Sequence, residues 1–396
     1  MRSKGYYLVL AAMSVKFMMD FFMPARDVAF IAFNGTLIVL VLAFGPALYA
    51  SRRTVFWSVV FMAFVIAELY RDATNPIAYK LLTLPLLAML FYSLGRKITG
   101  SEMSRVFKLL LVEFLICFSV NYAISAALGL TASRDFWNFE HANLLGSYVL
   151  IMLLPINYVL SQTNSKRQGP ILKALFVAVA CLTTSTGAMV LSLTVFLRIR
   201  KVSVRRLASP VIMGVVLLCT ALVALSLFNA AIYDKIVAPV VLIADGGWMQ
   251  LFKTAQSSGG ITHLASDQQG SFTWRIYAYL VYAFYVARQG LWPTMFGNGI
   301  GGYEDVWNGA MPHNDFILML VDLGAIFLLL VVFNLIRLLR HVIRRNPQWL
   351  LVVLALLMRL AFENNIYSYY LMSNFIVFAA LICGAMSGTT ARLNIG

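Results

Sequence analysis

The sequence predicts an all-α polytopic membrane protein with about 12 transmembrane helices and one large outer loop that holds amphipathic or re-entrant helices. Three observations carry that expectation. Of the 396 residues, 61% are hydrophobic and only 12% are charged, too little polar surface to cover a soluble fold of this length. The apolar residues also come in continuous runs, several of them near the roughly 20 residues that cross a bilayer as helix. These runs do not alternate in polarity, which excludes a β-barrel. Finally, the formal charge of +15 sits in short basic segments between the runs. The positive-inside bias accounts for it, and no nucleic-acid partner is implied.

The runs fall near residues 6–23, 28–49, 54–70, 77–94, 106–130, 141–160, 171–183, 187–197, 209–230, 314–336, 348–361 and 367–387. The first is not followed by a small-residue cleavage site and reads as a retained helix. Two breaks decide the topology. Residues 171–197 form either one long helix or two short ones separated at Thr184-Ser185-Thr186-Gly187. The break returns Lys166 and Arg167 to the same face as Arg198, Arg200, Lys201, Arg205 and Arg206. The same logic divides 348–387 at Phe362-Glu363-Asn364-Asn365. With both breaks, both termini lie on the cytoplasmic side, and the two short helices must tilt or extend to span. The chain then divides into residues 1–230 with about nine helices, an outer loop region over 231–313 that faces the periplasm or the cell exterior, and residues 314–396 with about three.

Within the outer region, a polar stretch over 256–271 leads into FTWRIYAYLVYAFYVARQGLW. This segment is apolar and tyrosine-rich but carries Arg275 and Arg288, so an interfacial or re-entrant helix suits it. Cys117, Cys181, Cys219 and Cys383 lie in apolar runs, with no metal-ligand spacing and no disulfide framework.

Ionisable groups at the mouths of membrane helices are costly and are candidates for function. His313 follows Pro312 and opens the apolar run at 314. Imidazole titrates near neutrality and can take a proton from a hydroxyl, so it suits a general base; the structural alternative is a capping or interfacial histidine. Asn314 and Asp315 can satisfy free N–H groups in the first turn of the following helix. Arg275 suits a fixed cation for phosphate, or an arginine snorkelling to headgroups. Arg288 is placed as an interfacial anchor that can add a phosphate contact. His141 and Asn143 lie at another outer mouth, where helix capping is the competing role. Arg359 sits deep in an apolar run, with Glu363 one turn on as its natural partner; it either pairs there or binds phosphate. Lys16, Asp20, Lys80, Glu113 and Asp322 read as paired or end-facing, and His263 and His341 as solvated. The glycines at 297, 299 and 302 match a dinucleotide fingerprint only formally, because no strand precedes them. A tight turn between the Arg275 segment and His313 suits them better.

In order, these residues are an arginine, an aromatic helix, a proline and glycine-rich turn, then His-Asn and a leucine-rich helix containing a glycine. Here they are Arg275, Pro293, Gly297, Gly299, Gly301, His313, Asn314 and Gly324. This order resembles the signature region of the O-antigen ligase and O-antigen polymerase superfamily. The segment HANLLGSYVL resembles that family's earlier asparagine-containing helix start, and the resemblance spans roughly residues 136–336. One position departs from it. Where the family carries Ser-Arg-Gly, this chain has Ser185-Thr186-Gly187. Arg359 is the first candidate to replace the absent arginine, with Arg71 and Arg134 behind it.

The resemblance implies an enzyme of the bacterial inner membrane with its active site facing the periplasm. The implied donor is a glycan on undecaprenyl diphosphate, and the acceptor is lipid A–core or another lipid-linked glycan. It implies an inverting displacement at the anomeric carbon, with His313 as base and Arg275 and Arg359 steadying the diphosphate. No cofactor is expected. No carboxylate cluster is obviously suited to Mg²⁺, although Glu304 and Asp305 keep a metal possible. A transporter or lipid flippase is the alternative of another class.

Overall fold

The computed structural model describes residues 4–23, 33–35, 37, 52–139, 141–162, 168–197, 249, 252–253, 255–256, 272–306, 310–345 and 348–393. Among the described residues the chain is helices and short turns, with one isolated antiparallel bridge between Phe136 and Phe139. Six stretches among the described residues are long and apolar enough to cross a membrane: Lys4–Phe22, Pro76–Lys97, Gly100–Ala127, Ala142–Gln162, Asp315–Arg337 and Tyr369–Ser387. Shorter apolar helices cover Gly169–Leu182, Thr186–Phe196 and Trp349–Phe362. The protein is therefore all-α, with the character of a multi-pass membrane protein. The run expected near 28–49 apart from residues 33–35 and 37, the run near 209–230, and most of the stretch 231–271 lie outside the described residues.

The chain forms two compact units. One comprises Met1–Phe196, Gln348–Leu356 and Asn365–Gly396, the other Leu197–Pro347 and Leu357–Asn364. In the first, the described helices include α1 (Lys4–Phe22), α2 (Arg52–Arg71), α3 (Pro76–Lys97), α4 (Gly100–Ala127), α5 (Ala142–Ile151), α6 (Leu153–Gln162), α7 (Gln168–Leu182) and α8 (Thr186–Ser192). Local sequence fixes their ends. Asn75 caps α3 by accepting from the amides of Ile77 and Ala78, and Pro76 occupies the first turn, where no amide is needed. Thr99 and Glu102 form a reciprocal capping box at the start of α4. Pro155 cannot donate to the carbonyl of Ile151, which accounts for the interruption between α5 and α6.

Helix α13 (Tyr369–Leu393) packs along α3 in this unit. The two backbones approach at glycines: a Cβ on Gly95 would fall on the Leu381 carbonyl, and one on Gly384 on that of Tyr92. Close packing of this kind holds membrane helices together where lipid supplies no hydrophobic drive. Phe17, Phe21, Phe114, Phe139 and Tyr148 form a buried aromatic core. Asp20, fully buried beside it, accepts from the Tyr148 hydroxyl at 2.6 Å and the Asn374 amide at 2.7 Å, and pairs with Lys16 at 3.3 Å. These partners compensate the cost of an ion in apolar surroundings and tie α1, α5 and α13 together.

The second unit contains α9 (Phe272–Arg288), α10 (Leu291–Phe296), α11 (Asp315–Arg345) and the end of α12 (Trp349–Phe362). Helix α11 is interrupted at Gly324, where φ is 82° and ψ 170°, a conformation open essentially to glycine alone. The interruption frees helix carbonyls. Those of Val321 and Asp322 accept instead from the amides of Asn298 and Gly299, each at 2.9 Å. The buried Asp322 carboxylate takes the amides of Gly301 and Tyr303 at 3.1 and 2.9 Å. The glycine-rich segment is thus a tight turn docked on a broken helix. Gly297 and Gly324 face each other, and a Cβ on either would strike the other's backbone surroundings.

Gly324→Ala therefore meets both a forbidden backbone region and a backbone clash, and it should destabilise the protein by about 3 kcal/mol or more. Gly301→Ala, at φ 96° but with nothing within 4 Å of its Cβ, should lose only about 1–2 kcal/mol. Thermal unfolding of the detergent-purified variants checks this; equal losses would contradict the docking.

Candidate functional site

The site is assembled within the second unit from three places in the sequence. Arg275 stands in the first turn of α9. His313 precedes α11. Arg359 lies in the last turn of α12, and Glu363 one residue beyond its end. All three nitrogen bases converge on the Glu363 carboxylate. Arg275 donates to Oε1 at 2.8 Å, Arg359 lies 3.6 Å from the same oxygen, and His313 Nδ1 is 3.5 Å from Oε2. Arg359 and Glu363 are buried, with side chains 5% and 9% exposed. The His313 side chain is 32% exposed. Asp315, also fully buried, lies within electrostatic reach of Arg359. The two guanidiniums are thus matched by two carboxylates.

Two nitrogens in this cluster, Arg275 Nε and His313 Nδ1, are buried without a hydrogen-bond partner. Native proteins rarely leave such groups unsatisfied, and the exceptions gather at functional sites. A buried ionic cluster is also weak evidence for stability, since desolvation offsets most of the Coulomb gain. Burial pushes the Glu363 carboxyl up, but Arg359, the His313 imidazole and Arg275 together outweigh it and hold it below its ordinary value.

Two tyrosines of α9 grip the His313 loop. The Tyr282 hydroxyl donates to the Ala310 carbonyl at 2.6 Å, and the Tyr279 hydroxyl to the carbonyls of Ala361 at 2.8 Å and His313 at 3.2 Å. Between these anchors Pro312 fixes the backbone, and His313 takes a positive φ of 49°, a region few non-glycine residues occupy. The Trp274 ring packs edge-on against the imidazole, 4.8 Å between centroids. Asn314 closes the loop. Its amide donates to Asn364 Oδ1 at 3.1 Å, and its own Oδ1 caps α11 by accepting from Phe316 and Ile317 at 2.9 and 3.1 Å.

The other candidates lie elsewhere. Arg288 is 13 residues along α9 from Arg275, about 20 Å of helix. It donates to the Gln256 carbonyl and stacks on Phe284. His141 and Asn143 belong to the first unit. His141 stands at the N-cap of α5 without a capping bond, 74% exposed and 3.8 Å from Asp135. Asn143 Oδ1 accepts from the Ser185 hydroxyl at 3.0 Å, and Gly146 leaves room for that serine. At the same hairpin, exposed Arg134 donates to the Thr184 carbonyl at 2.8 Å. Arg71 pairs with Glu68 at 3.0 Å. Glu304 and Asp305 lie in the short helical turn Gly302–Asp305.

Sequence reasoning placed Glu363 beside Arg359 from their spacing. Nothing local signals that Arg275, itself a candidate, joins them from 88 residues away in the chain, nor that the hydroxyls of Tyr279 and Tyr282 hold the His313 loop. Comparison of the chain with models of known protein families and with curated proteins finds no match. The family resemblance therefore stands on the ordered signature residues alone.

Two stability predictions follow from this geometry. Asn314→Ala removes the α11 cap and should cost about 1 kcal/mol, whereas Asn314→Asp, which keeps the acceptor oxygen, should cost much less. Equal unfolding temperatures for the two variants would rule out the cap. Because Glu363 is held below its ordinary value of 4.5, its ionisation stabilises the fold above that pH. The contribution is lost as pH falls through the depressed value. Glu363→Gln should therefore flatten part of the acid decline in melting temperature; a parallel decline would contradict it.

Proposed function

We propose that this chain is a bacterial inner-membrane glycosyltransferase of the O-antigen ligase type. It would move a glycan from undecaprenyl diphosphate to a hydroxyl of lipid A–core at the periplasmic face. The observation that carries the reading is the convergence of His313, Arg275 and Arg359 on one buried carboxylate, because the reaction needs a base and fixed cations within one small space. The acceptor oxygen attacks the anomeric carbon and gives its proton to His313. The bond from that carbon to the diphosphate oxygen breaks, and its electron pair leaves with the diphosphate. Arg275, more exposed than Arg359, meets the growing negative charge first, and Arg359, 3.6 Å from Glu363, adds a second fixed cation. Inversion is the outcome of this single displacement. The leaving group carries its own energy, so no nucleotide is needed.

The topology in this reading is about 12 spans with both termini cytoplasmic and the region 231–313 periplasmic. Arg359, which lies in the same unit as Arg275 and His313 and 3.6 Å from Glu363, is the candidate to replace the absent family arginine. A polymerase would use the same site and differ in its acceptor, a second lipid-linked repeat unit. A transporter is the second reading, favoured by the interruption of α11 at Gly324 and the buried Lys16–Asp20 pair.

In a strain lacking this chain, long glycans should disappear from lipid A–core while lipid-linked polymer accumulates, and wild-type chain should restore them. Single-repeat products would indicate polymerase instead. His313→Ala should lower transfer about 100- to 10,000-fold at unchanged protein level, and restoration by this variant would remove the base assignment. Arg275→Lys keeps the charge but loses the guanidinium fork. It should approach the roughly hundredfold loss typical of removing one donor to a developing anion; a wild-type rate would exclude a directional contact.

A further inference from the structure

We propose that Glu363 is the positioning partner of His313, holding its imidazole with the proton on Nδ1 so that Nε2 is the atom that takes the acceptor's proton. This rests on the glycosyl-transfer reading above. The two carboxylate oxygens are divided between two tasks. Oε1 is occupied by Arg275 at 2.8 Å and flanked by Arg359 at 3.6 Å, while Oε2 faces His313 Nδ1 at 3.5 Å. Nδ1 is buried and has no hydrogen-bond partner. An ionised carboxylate can only accept, so the form of the imidazole that suits this contact carries its hydrogen on Nδ1. At 3.5 Å the contact is longer than a formed hydrogen bond, as catalytic contacts commonly are before substrate closes the site.

The rest of the imidazole is fixed by groups that make no claim on Nε2. Trp274 packs edge-on against the ring, and Tyr279 holds the residue's carbonyl. The ring is about a third exposed while Nδ1 is not, so the opposite edge, with Nε2, is the accessible one. When the acceptor oxygen bonds to the anomeric carbon, its proton passes to Nε2. The carbon–diphosphate bond breaks with its electron pair, and the imidazolium is stabilised by Oε2 across the Nδ1–H contact. The two guanidiniums keep Glu363 ionised, so the carboxylate orients the base without taking the proton itself.

The test is ¹⁵N NMR of histidine-labelled protein in lipid nanodiscs, in mildly alkaline buffer. The His313 signals are identified among the four histidines by their loss in His313→Gln. The wild-type ring should carry its hydrogen on Nδ1; a hydrogen on Nε2 overturns the proposal without any variant having to fold. In Glu363→Gln, Arg275 holds the amide oxygen, so the amide NH₂ faces Nδ1. The ring should then switch to the Nε2–H form, and an unchanged form overturns the proposal. Glycan transfer is measured in the same preparations with a lipid-diphosphate-linked glycan. Glu363→Gln should lower the turnover at saturating donor at least tenfold with little change in donor affinity, and Glu363→Asp should recover part of it. A wild-type turnover in Glu363→Gln overturns the proposal. Correct tautomers with no transfer by wild-type protein would sink the glycosyltransferase reading and leave the His313–Glu363 pairing standing.

Discussion

Glu363 is one carboxylate serving two guanidiniums and an imidazole in a largely buried setting. Taking these groups out of water costs several kcal/mol each unless they meet partners, and the partners come from distant parts of the sequence. The C-terminal turn of α12 cannot hold Arg359 in apolar surroundings without Glu363. Glu363 in turn brings Arg275 of α9 to the end of α12 and faces the loop before α11. Three segments are fixed by a single ionic centre, and that centre is where the unsatisfied Arg275 Nε and His313 Nδ1 are found.

The strain at His313 is held by ordinary means. Tyrosine hydroxyls of α9 take the carbonyls on either side of Met311 and Pro312, and Asn314 caps the helix that follows. Further along, the interruption of α11 at Gly324 releases two carbonyls that the glycine-rich turn then satisfies. The turn and the broken helix therefore need each other: without the turn, the carbonyls of Val321 and Asp322 would be left buried and unpaired.

Much of the helical framework is legible in the sequence, because apolar run length and capping chemistry are local. Helix α7 ends at Leu182 and α8 begins at Thr186, around the Thr184-Ser185-Thr186-Gly187 break; α12 ends at Phe362, where Glu363-Asn364-Asn365 follows. The Arg359–Glu363 pair is readable from its spacing of one turn. What is not readable is tertiary. Asp322 reads as an end-facing or paired acid, yet it organises the glycine turn by accepting two of its amides. Lys16 and Asp20 read as a pair, but nothing local announces Tyr148 and Asn374 as the other partners of Asp20. The Arg275–Glu363 contact closes 88 residues, and no periodicity encodes that. Arg134 reaches the carbonyl of Thr184 from a left-handed backbone position that its sequence does not announce.

The chemistry and the alternative of transport part at one point: whether a covalent bond changes. The decisive measurement uses purified protein reconstituted in vesicles, with a labelled undecaprenyl-diphosphate-linked glycan and a lipid A–core acceptor, and no nucleotide. The account predicts labelled glycan on the acceptor and an equal amount of free undecaprenyl diphosphate. Label that crosses the bilayer still joined to its original carrier, with no new glycosidic product, would contradict it.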